Sequence, residues 1–296
     1  MIGEIGLYYA DIWPQKKNGP GKVAKNLIAG LTSLGVEVHH NTLLKYTGVL
    51  QSYPLLELKE SALIGPNHFV LPNECDPLVW KKKRNIVTPS KWMKDKYITQ
   101  LDSKHNVYVW PVGIDTNHFV PRKGDKKIDC LIYYKQAPLC HSCNDLFFHP
   151  LGISRGINLK NLLRKLIDSN IKFKEIIYGE YNEKELIEIA QSSRFCVMIS
   201  CTETQGIAYQ EILSMNIPIY VIDYNITHQF KPNECPGATS APYFDDRCGI
   251  KHKDLGRFDE FLERLDEFSP REYILENLTL EKCASEYISL LEKCNE

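Results

Sequence analysis

Glu203 and Glu211 stand eight positions apart in the run Glu203-Thr204-Gln205-Gly206-Ile207-Ala208-Tyr209-Gln210-Glu211, between the apolar stretch Phe195 to Ile199 and Ile217-Pro218. A strand that delivers Glu203 to a loop, followed by Gly206 opening a helix that carries Glu211, would gather two carboxylates and a set of unpaired helix N–H groups around one crevice. Such a crevice suits a sugar attached to a diphosphate. Carboxylates accept charge-assisted hydrogen bonds from hydroxyls, and the positive end of a helix dipole favours phosphate. Two Glu at this spacing also arise by chance in a chain with 37 Asp and Glu. The elements that would position them therefore decide the matter.

Short apolar, β-rich runs alternate with segments of helical period, which predicts parallel α/β architecture. The runs are Ile5 to Tyr9, Ala62 to Ile64, Asn85 to Thr88, Val107 to Trp110, Ile128 to Tyr134, Glu175 to Tyr178, Phe195 to Ile199 and Ile217 to Ile222. Val23, Leu27, Ile28, Leu31 and Leu34 share one helical face, with Pro20 at a tolerated first-turn position and Gly35 as a stop. Leu159, Leu162, Leu163 and Leu166, then Leu186, Ile187 and Ala190, repeat the logic in the second half. The stretch from Pro111 to Gly124, rich in Pro and Gly and without a sustained period, reads as a junction. It divides the chain into domains 1–122 and 123–270, followed by a last helix in 271–296 whose apolar stripe of Leu280, Cys283, Ala284, Tyr287, Ile288 and Leu291 needs a partner surface.

The 296 residues suffice for two domains, and a 43% hydrophobic content supports proper cores. With 36 Lys and Arg against 37 Asp and Glu, nothing global advertises a nucleic-acid partner. No apolar run is long enough to span a bilayer, and the first ten residues read as a core strand rather than a signal peptide. Ten scattered Cys in a chain of this size point to reduced thiols in a cytoplasm-like compartment rather than a disulfide scaffold. Asn18-Gly19-Pro20-Gly21-Lys22 follows the first strand and opens the first helix. Glycines there would let a phosphate or sugar oxygen approach the backbone, although an ordinary strand-to-helix turn has the same composition.

Taken in order, four segments resemble the large family of retaining GT-B glycosyltransferases that carry a Glu-x7-Glu donor motif. They are Asn18 to Leu27, similar to the family's glycine-rich first loop and helix; Asn85-Ile86-Val87-Thr88-Pro89-Ser90-Lys91-Trp92-Met93; Trp110-Pro111-Val112-Gly113-Ile114-Asp115; and Thr202 to Glu211 with Pro218 beyond. The resemblance covers about residues 1 to 225. It implies two Rossmann-like domains facing a cleft, the first (1–122) binding an acceptor and the second (123–270) a nucleotide sugar, with the C-terminal helix crossing back. It implies that Glu203 faces the donor sugar's hydroxyls and Glu211 the ribose, with Gly19, Gly21 and Gly206 at phosphate- or sugar-binding turns. A basic residue ending the second domain's first strand, here Lys135, and a second cation, here Arg155 before Gly156, would hold the diphosphate. His68 would stand near the reacting sugar, against the alternative of a packed or exposed loop histidine.

The activity implied is transfer of a sugar from a UDP- or GDP-linked donor to a glycan, lipid-linked or protein-linked acceptor with retention of configuration. The resemblance also implies that no cofactor or metal is required, protein cations and helix ends neutralising the leaving diphosphate instead. A sugar-nucleotide epimerase and a non-catalytic sugar-nucleotide or glycan-binding protein are the alternatives. Cys140-x2-Cys143 with His141 and His149 has ligand types that zinc accepts, but a closed site usually takes four ligands and a second knuckle, so an inserted loop is the expectation. Asp245-Asp246 is not read as a metal site. The Lys81-Lys82-Lys83-Arg84 run leaves peripheral contact with an anionic acceptor or membrane headgroups open, against a solvated helix end. The stretch from Ile176 through one helix to Phe195 is shorter than the family's pattern, which predicts a rebuilt nucleobase wall.

Overall fold

The structure is a computed structural model that describes residues 2–9, 19–51, 58–67, 72, 84–135, 150–200, 202–223 and 237–296. Its strands are β1 (Glu4–Tyr8), β2 (Glu37–His40), β3 (Thr47–Gln51), β4 (Leu63–Asn67), β5 (Asn85–Thr88), β6 (Asn106–Val109), β7 (Ile128–Tyr134), β8 (Phe173–Ile177), β9 (Ser193–Ile199), β10 (Ile219–Ile222) and β11 (Gly249–His252). Its α-helices are α1 (Gly19–Ser33), α2 (Lys91–Ile98), α3 (Pro150–Asp168), α4 (Glu183–Ser192), α5 (Ile207–Ser214), α6 (Phe258–Glu263), α7 (Pro270–Asn277) and α8 (Leu280–Lys293). The chain divides into two compact units, Met1–Asp115 with Asn277–Glu296, and Thr116–Glu276.

The first unit holds a six-stranded sheet in the order β2-β1-β3-β4-β5-β6, and every pairing is parallel. β1 from Ile5 to Leu7 and all of β5 are buried on both faces, which is why Ile5, Leu7, Ile86 and Val87 mark them in the sequence. β2 and β3 escaped the sequence reading. Edge strand β2 is Glu-Val-His-His with exposed ends, and β3 is a five-residue run broken by Gly48. Leu34, expected on the buried face of the first helix, instead lies 38% exposed in the turn after α1, because Gly35 at φ +76° has already ended the helix.

The apolar stripe of α8 finds its partner within this unit, against α1. Close approach depends on glycine: a Cβ on Gly30 would stand 2.5 Å from the Leu280 carbonyl oxygen, and one on Gly113 would stand 2.6 Å from Leu280 Cα. Trp110, fully buried, donates Nε1–H to the Cys283 carbonyl at 2.7 Å and packs its ring 4.8 Å from that of Tyr287. Burial of aromatic area with the indole N–H satisfied makes this a strong anchor for the returning helix. Asn26 on α1 donates to the Gly113 carbonyl at 2.8 Å, and the Ile114 N–H to the Leu278 carbonyl at 2.7 Å.

The second unit holds a five-stranded parallel sheet, β11-β10-β9-β7-β8. β7 and β9 lie at its centre, and on one face Phe195, Tyr220, Phe258 and Phe261 pack with ring centroids 5.3–6.2 Å apart, largely edge to face. Arg271 ties the start of the unit down by donating to the carbonyls of Thr116, Phe119 and Ser214 at 3.0, 3.0 and 2.6 Å. β11, Gly-Ile-Lys-His at the sheet edge, was the third strand too short and polar to read from sequence. Among the described residues, no helix is long and apolar enough to cross a membrane.

Candidate functional site

Parallel register sets the second unit's site. Tyr134 pairs with Ile177 and with Ile199, and Ile199 pairs with Ile222. The residues that follow these positions, Tyr178, Lys135, Ser200 and Asp223, therefore stand in a row along the C-terminal edge of β8-β7-β9-β10. Open parallel sheets bind ligands at that edge. Sequence reasoning found Lys135 alone in this row, because the other three become neighbours only once strand order and register are fixed.

The row is wired together by Glu203. Lys135 Nζ donates to both of its carboxylate oxygens, at 2.8 Å to Oε1 and 3.0 Å to Oε2. The Ser200 hydroxyl donates to Oε1 at 2.7 Å. The two ionic side chains retain only 23% and 12% exposure, so the pair sits in a partly desolvated setting where its attraction exceeds that of a surface pair. The Lys135 ammonium also lies 4.6 Å from the centroid of the Tyr178 ring, within cation–π range. Tyr178 remains 45% exposed.

Gly206 terminates the loop that carries Glu203 and begins α5. Its φ of 80° and ψ of 53° are left-handed, and a Cβ there would run into the Tyr209 ring. Both facts demand glycine. Below it, Gln210 Nε2 donates to the Gln205 carbonyl at 3.0 Å, and the Tyr209 hydroxyl accepts from the Tyr243 N–H at 3.0 Å. This buried network fixes how α5 starts. Glu211, 1% exposed, is carried on α5. Burial pushes the Tyr181 phenol well up, and the charges of Glu211 and Glu203 push it further against a hydrogen bond with Tyr133. Tyr133 is raised by burial first, then by Tyr181 and Glu203, and its ring meets that of Tyr181 edge-on at 6.2 Å. Both phenols stay protonated at neutral pH and can donate hydrogen bonds.

The remaining sequence candidates fall elsewhere or outside the described residues. Gly19 and Gly21 lie in the first turn of α1 in the first unit; a Cβ on Gly19 would meet nothing within 4 Å. Arg155 lies on α3, and its side chain is outside the described residues. His68, Asn18, Lys81 to Lys83, and the Cys140, His141, Cys143 and His149 group also lie outside them. Asp245 accepts from the Arg247 N–H and from its guanidinium at 2.7 and 3.0 Å, an ion-pair arrangement. Among the described residues, no group of three or more His, Cys, Asp or Glu could hold a metal ion. The described cysteines Cys130, Cys196, Cys248, Cys283 and Cys294 are free thiols.

No family model matches the chain, and no curated protein sequence matches it. Solved structures do. A sucrose-phosphate synthase from Thermosynechococcus elongatus superposes with a TM-score of 0.60 at 9% identity, covering 98% of each chain. A trehalose-6-phosphate synthase, studied for glycosyl transfer with retention, gives 0.55 at 12% identity over 96% of this chain and 83% of that one. The N-terminal domain of the Candida albicans trehalose-6-phosphate phosphatase gives 0.55 at 11% identity over 99% and 97%. Two parallel α/β sheets, a last helix returned onto α1 and these likenesses identify the fold as GT-B, with retaining GT-B glycosyltransferases as structural neighbours at low sequence identity.

Proposed function

We propose that the protein is a retaining glycosyltransferase that moves a sugar from a UDP- or GDP-linked donor to an acceptor hydroxyl. The observation that carries this reading is the Lys135–Glu203–Ser200 cluster, set at the C-terminal edge of a parallel sheet just before the glycine-capped start of α5. The second unit binds the donor and the first the acceptor. Glu203 accepts from the sugar hydroxyls, Glu211 from the ribose, and Lys135 with the α5 N-terminus meets the diphosphate. Arg155 adds a second cation, and His68 stands near the reacting sugar. Neighbours named as sucrose-phosphate synthase and trehalose-6-phosphate synthase support a sugar-transfer reading and leave the acceptor class, glycan, lipid-linked or protein-linked, to experiment.

In this reading the bond between the anomeric carbon and the diphosphate oxygen breaks first, and its electron pair stays on the phosphate. The acceptor oxygen attacks the resulting oxocarbenium-like carbon from the same face, and its proton goes to the phosphate oxygen just released. Lys135 neutralises charge that grows only as that bond breaks, which lowers the barrier rather than merely tightening binding. Protein groups supply the charge stabilisation, and no metal is assigned a step.

A thermal-shift panel of UDP- and GDP-sugars tests the donor site, because a ligand present at about 100 times its Kd adds about 2.7 kcal/mol to the folded state. At least one donor is expected to raise the melting temperature, and no response to any donor would overturn the site. Incubating the responding donor without acceptor separates the reactions: an isomerised donor replaces the transferase reading with an epimerase.

A further inference from the structure

We infer that Asp223 is a positioning residue for Glu203, acting through the turn at Thr239 and Ser240; the functional part of this inference rests on the donor-site reading above. Asp223 is the first residue after β10 and is anchored there by its N–H to the His252 carbonyl at 2.8 Å. Its Oδ1 accepts from the Ser240 N–H at 2.6 Å and from the Thr239 hydroxyl at 2.9 Å, and its Oδ2 shares that hydroxyl at 2.9 Å. The same Thr239 hydroxyl accepts from the Ala241 N–H at 3.2 Å, which closes the turn on itself. The carbonyl of Thr239 then accepts the Glu203 N–H at 3.0 Å.

Each link is directional, and together they run from the sheet to the backbone of the loop that presents Glu203. A carboxylate held by a main-chain N–H and a hydroxyl fixes both the position and the rotation of the turn beyond it. The turn has further ties on the same side: the Ser240 hydroxyl reaches the Ser200 carbonyl at 3.4 Å, and Lys251 Nζ donates to the Ala241 carbonyl at 3.2 Å. Glu203 is thereby set from two directions, its side chain by Lys135 and Ser200 and its backbone by the Asp223-held turn. Sub-ångström placement of a hydroxyl-binding carboxylate matters most for the sugar and least for the nucleotide. Asp223 should therefore govern how well the site tells a nucleotide sugar from the bare nucleotide.

The test compares wild type with Asp223→Ala and Thr239→Val, and with Thr239→Ser as the conservative rescue. Amide hydrogen exchange at Glu203 is expected to quicken by about tenfold in Asp223→Ala and Thr239→Val and to return toward wild type in Thr239→Ser, while exchange in β9 stays unchanged. Calorimetric binding of UDP-glucose against UDP, and of GDP-mannose against GDP, is expected to lose about tenfold for the sugar-linked ligand and under about twofold for the nucleotide. Unchanged exchange at Glu203, or equal losses for sugar and nucleotide, would overturn the inference. If wild type binds neither pair the donor reading fails, and the exchange measurement still decides whether Asp223 holds Glu203.

Discussion

The two units are built alike and spend their polar groups differently. Both are open parallel sheets with helices, yet in the second unit the C-terminal strand edge carries a connected set of side chains, from Tyr178 through Lys135, Glu203 and Ser200 to Asp223 and Thr239. In the first unit the best-defined long-range bonds, Trp110 to Cys283 and Asn26 to Gly113, instead lock the returning α8 and the segment before it. One arrangement gathers polar side chains at a strand edge, and the other closes a fold. The distinction predicts which substitutions unfold the protein and which leave it folded with an altered site.

The largest expected effect lies in the first unit. Trp110→Ala removes a fully buried indole and its bond to Cys283, and should cost about 3–5 kcal/mol, the usual range for truncating a buried aromatic. Hydrogen exchange during denaturant titration should show α1, α8 and β6 losing protection together, with β7 and β9 protected as before. A loss shared evenly by both units would erase the contrast.

Gly206→Ala comes next and strikes where the site and the fold overlap. A left-handed backbone costs a side-chain-bearing residue about 1–2 kcal/mol, and displacing the buried Tyr209 ring adds about 1–3 kcal/mol, giving about 2–5 kcal/mol together. The urea midpoint measures it. A change near zero would mean that Tyr209 swings aside freely, contrary to its bonds with Tyr243 and Gln210.

Lys135→Met sharpens the comparison further, since it should cost little stability and much function. Removing the ammonium strands a carboxylate that is 12% exposed but still bonded to Ser200, for a cost of about 1–2 kcal/mol, below the range for a fully buried pair. The double variant Lys135→Met, Glu203→Gln should recover most of that loss, because no unpaired charge is left. Donor-dependent product formation should nevertheless fall by about 10²–10³ in either variant, the range for removing one preorganised charge-stabilising group. If the double variant stays as unstable as the single one, the pair is structural after all.

Much of this architecture was legible in sequence. Asn85 to Thr88 and Ile128 to Tyr134 coincide with β5 and β7 because strands buried on both faces gather apolar residues, here Ile86-Val87 and Cys130 to Tyr133. The stripe on α8 was visible, although its partner α1 lies more than two hundred residues earlier and no periodicity names it. β2, β3 and β11 were missed because half-exposed edge strands and a glycine-bearing strand carry too few apolar residues to stand out. Within the cluster, Glu203 and Gly206 stood out by type and spacing, and Lys135 through the family resemblance. Ser200, Tyr178 and Asp223 did not, since a polar residue after a strand looks like any loop residue until register sets it beside its neighbours.

The smallest predicted effect concerns acid, and it separates the units by how their aspartates are held. In the second unit, burial pushes the Asp245 carboxyl up, but hydrogen bonds from the Arg247 guanidinium and N–H more than reverse this and hold it below its ordinary value. In the first unit, the Lys104 N–H bond chiefly lowers exposed Asp102. A depressed folded value means that the unfolded state takes up the proton first. The stabilisation is therefore complete above the ordinary carboxylate value near pH 4 and drains away as pH falls through the lower, folded value. Asp245→Asn should flatten that acid loss in the second unit, and Asp102→Asn should do so more weakly in the first, because Arg247 is further braced by Glu276 and the Tyr273 ring whereas His105 is Asp102's side-chain partner. Urea midpoints between pH 2.5 and 6, about the range spanning the ordinary carboxylate values, resolve the order; a larger change at Asp102 would show that local backbone capping outweighs the Arg247 pair.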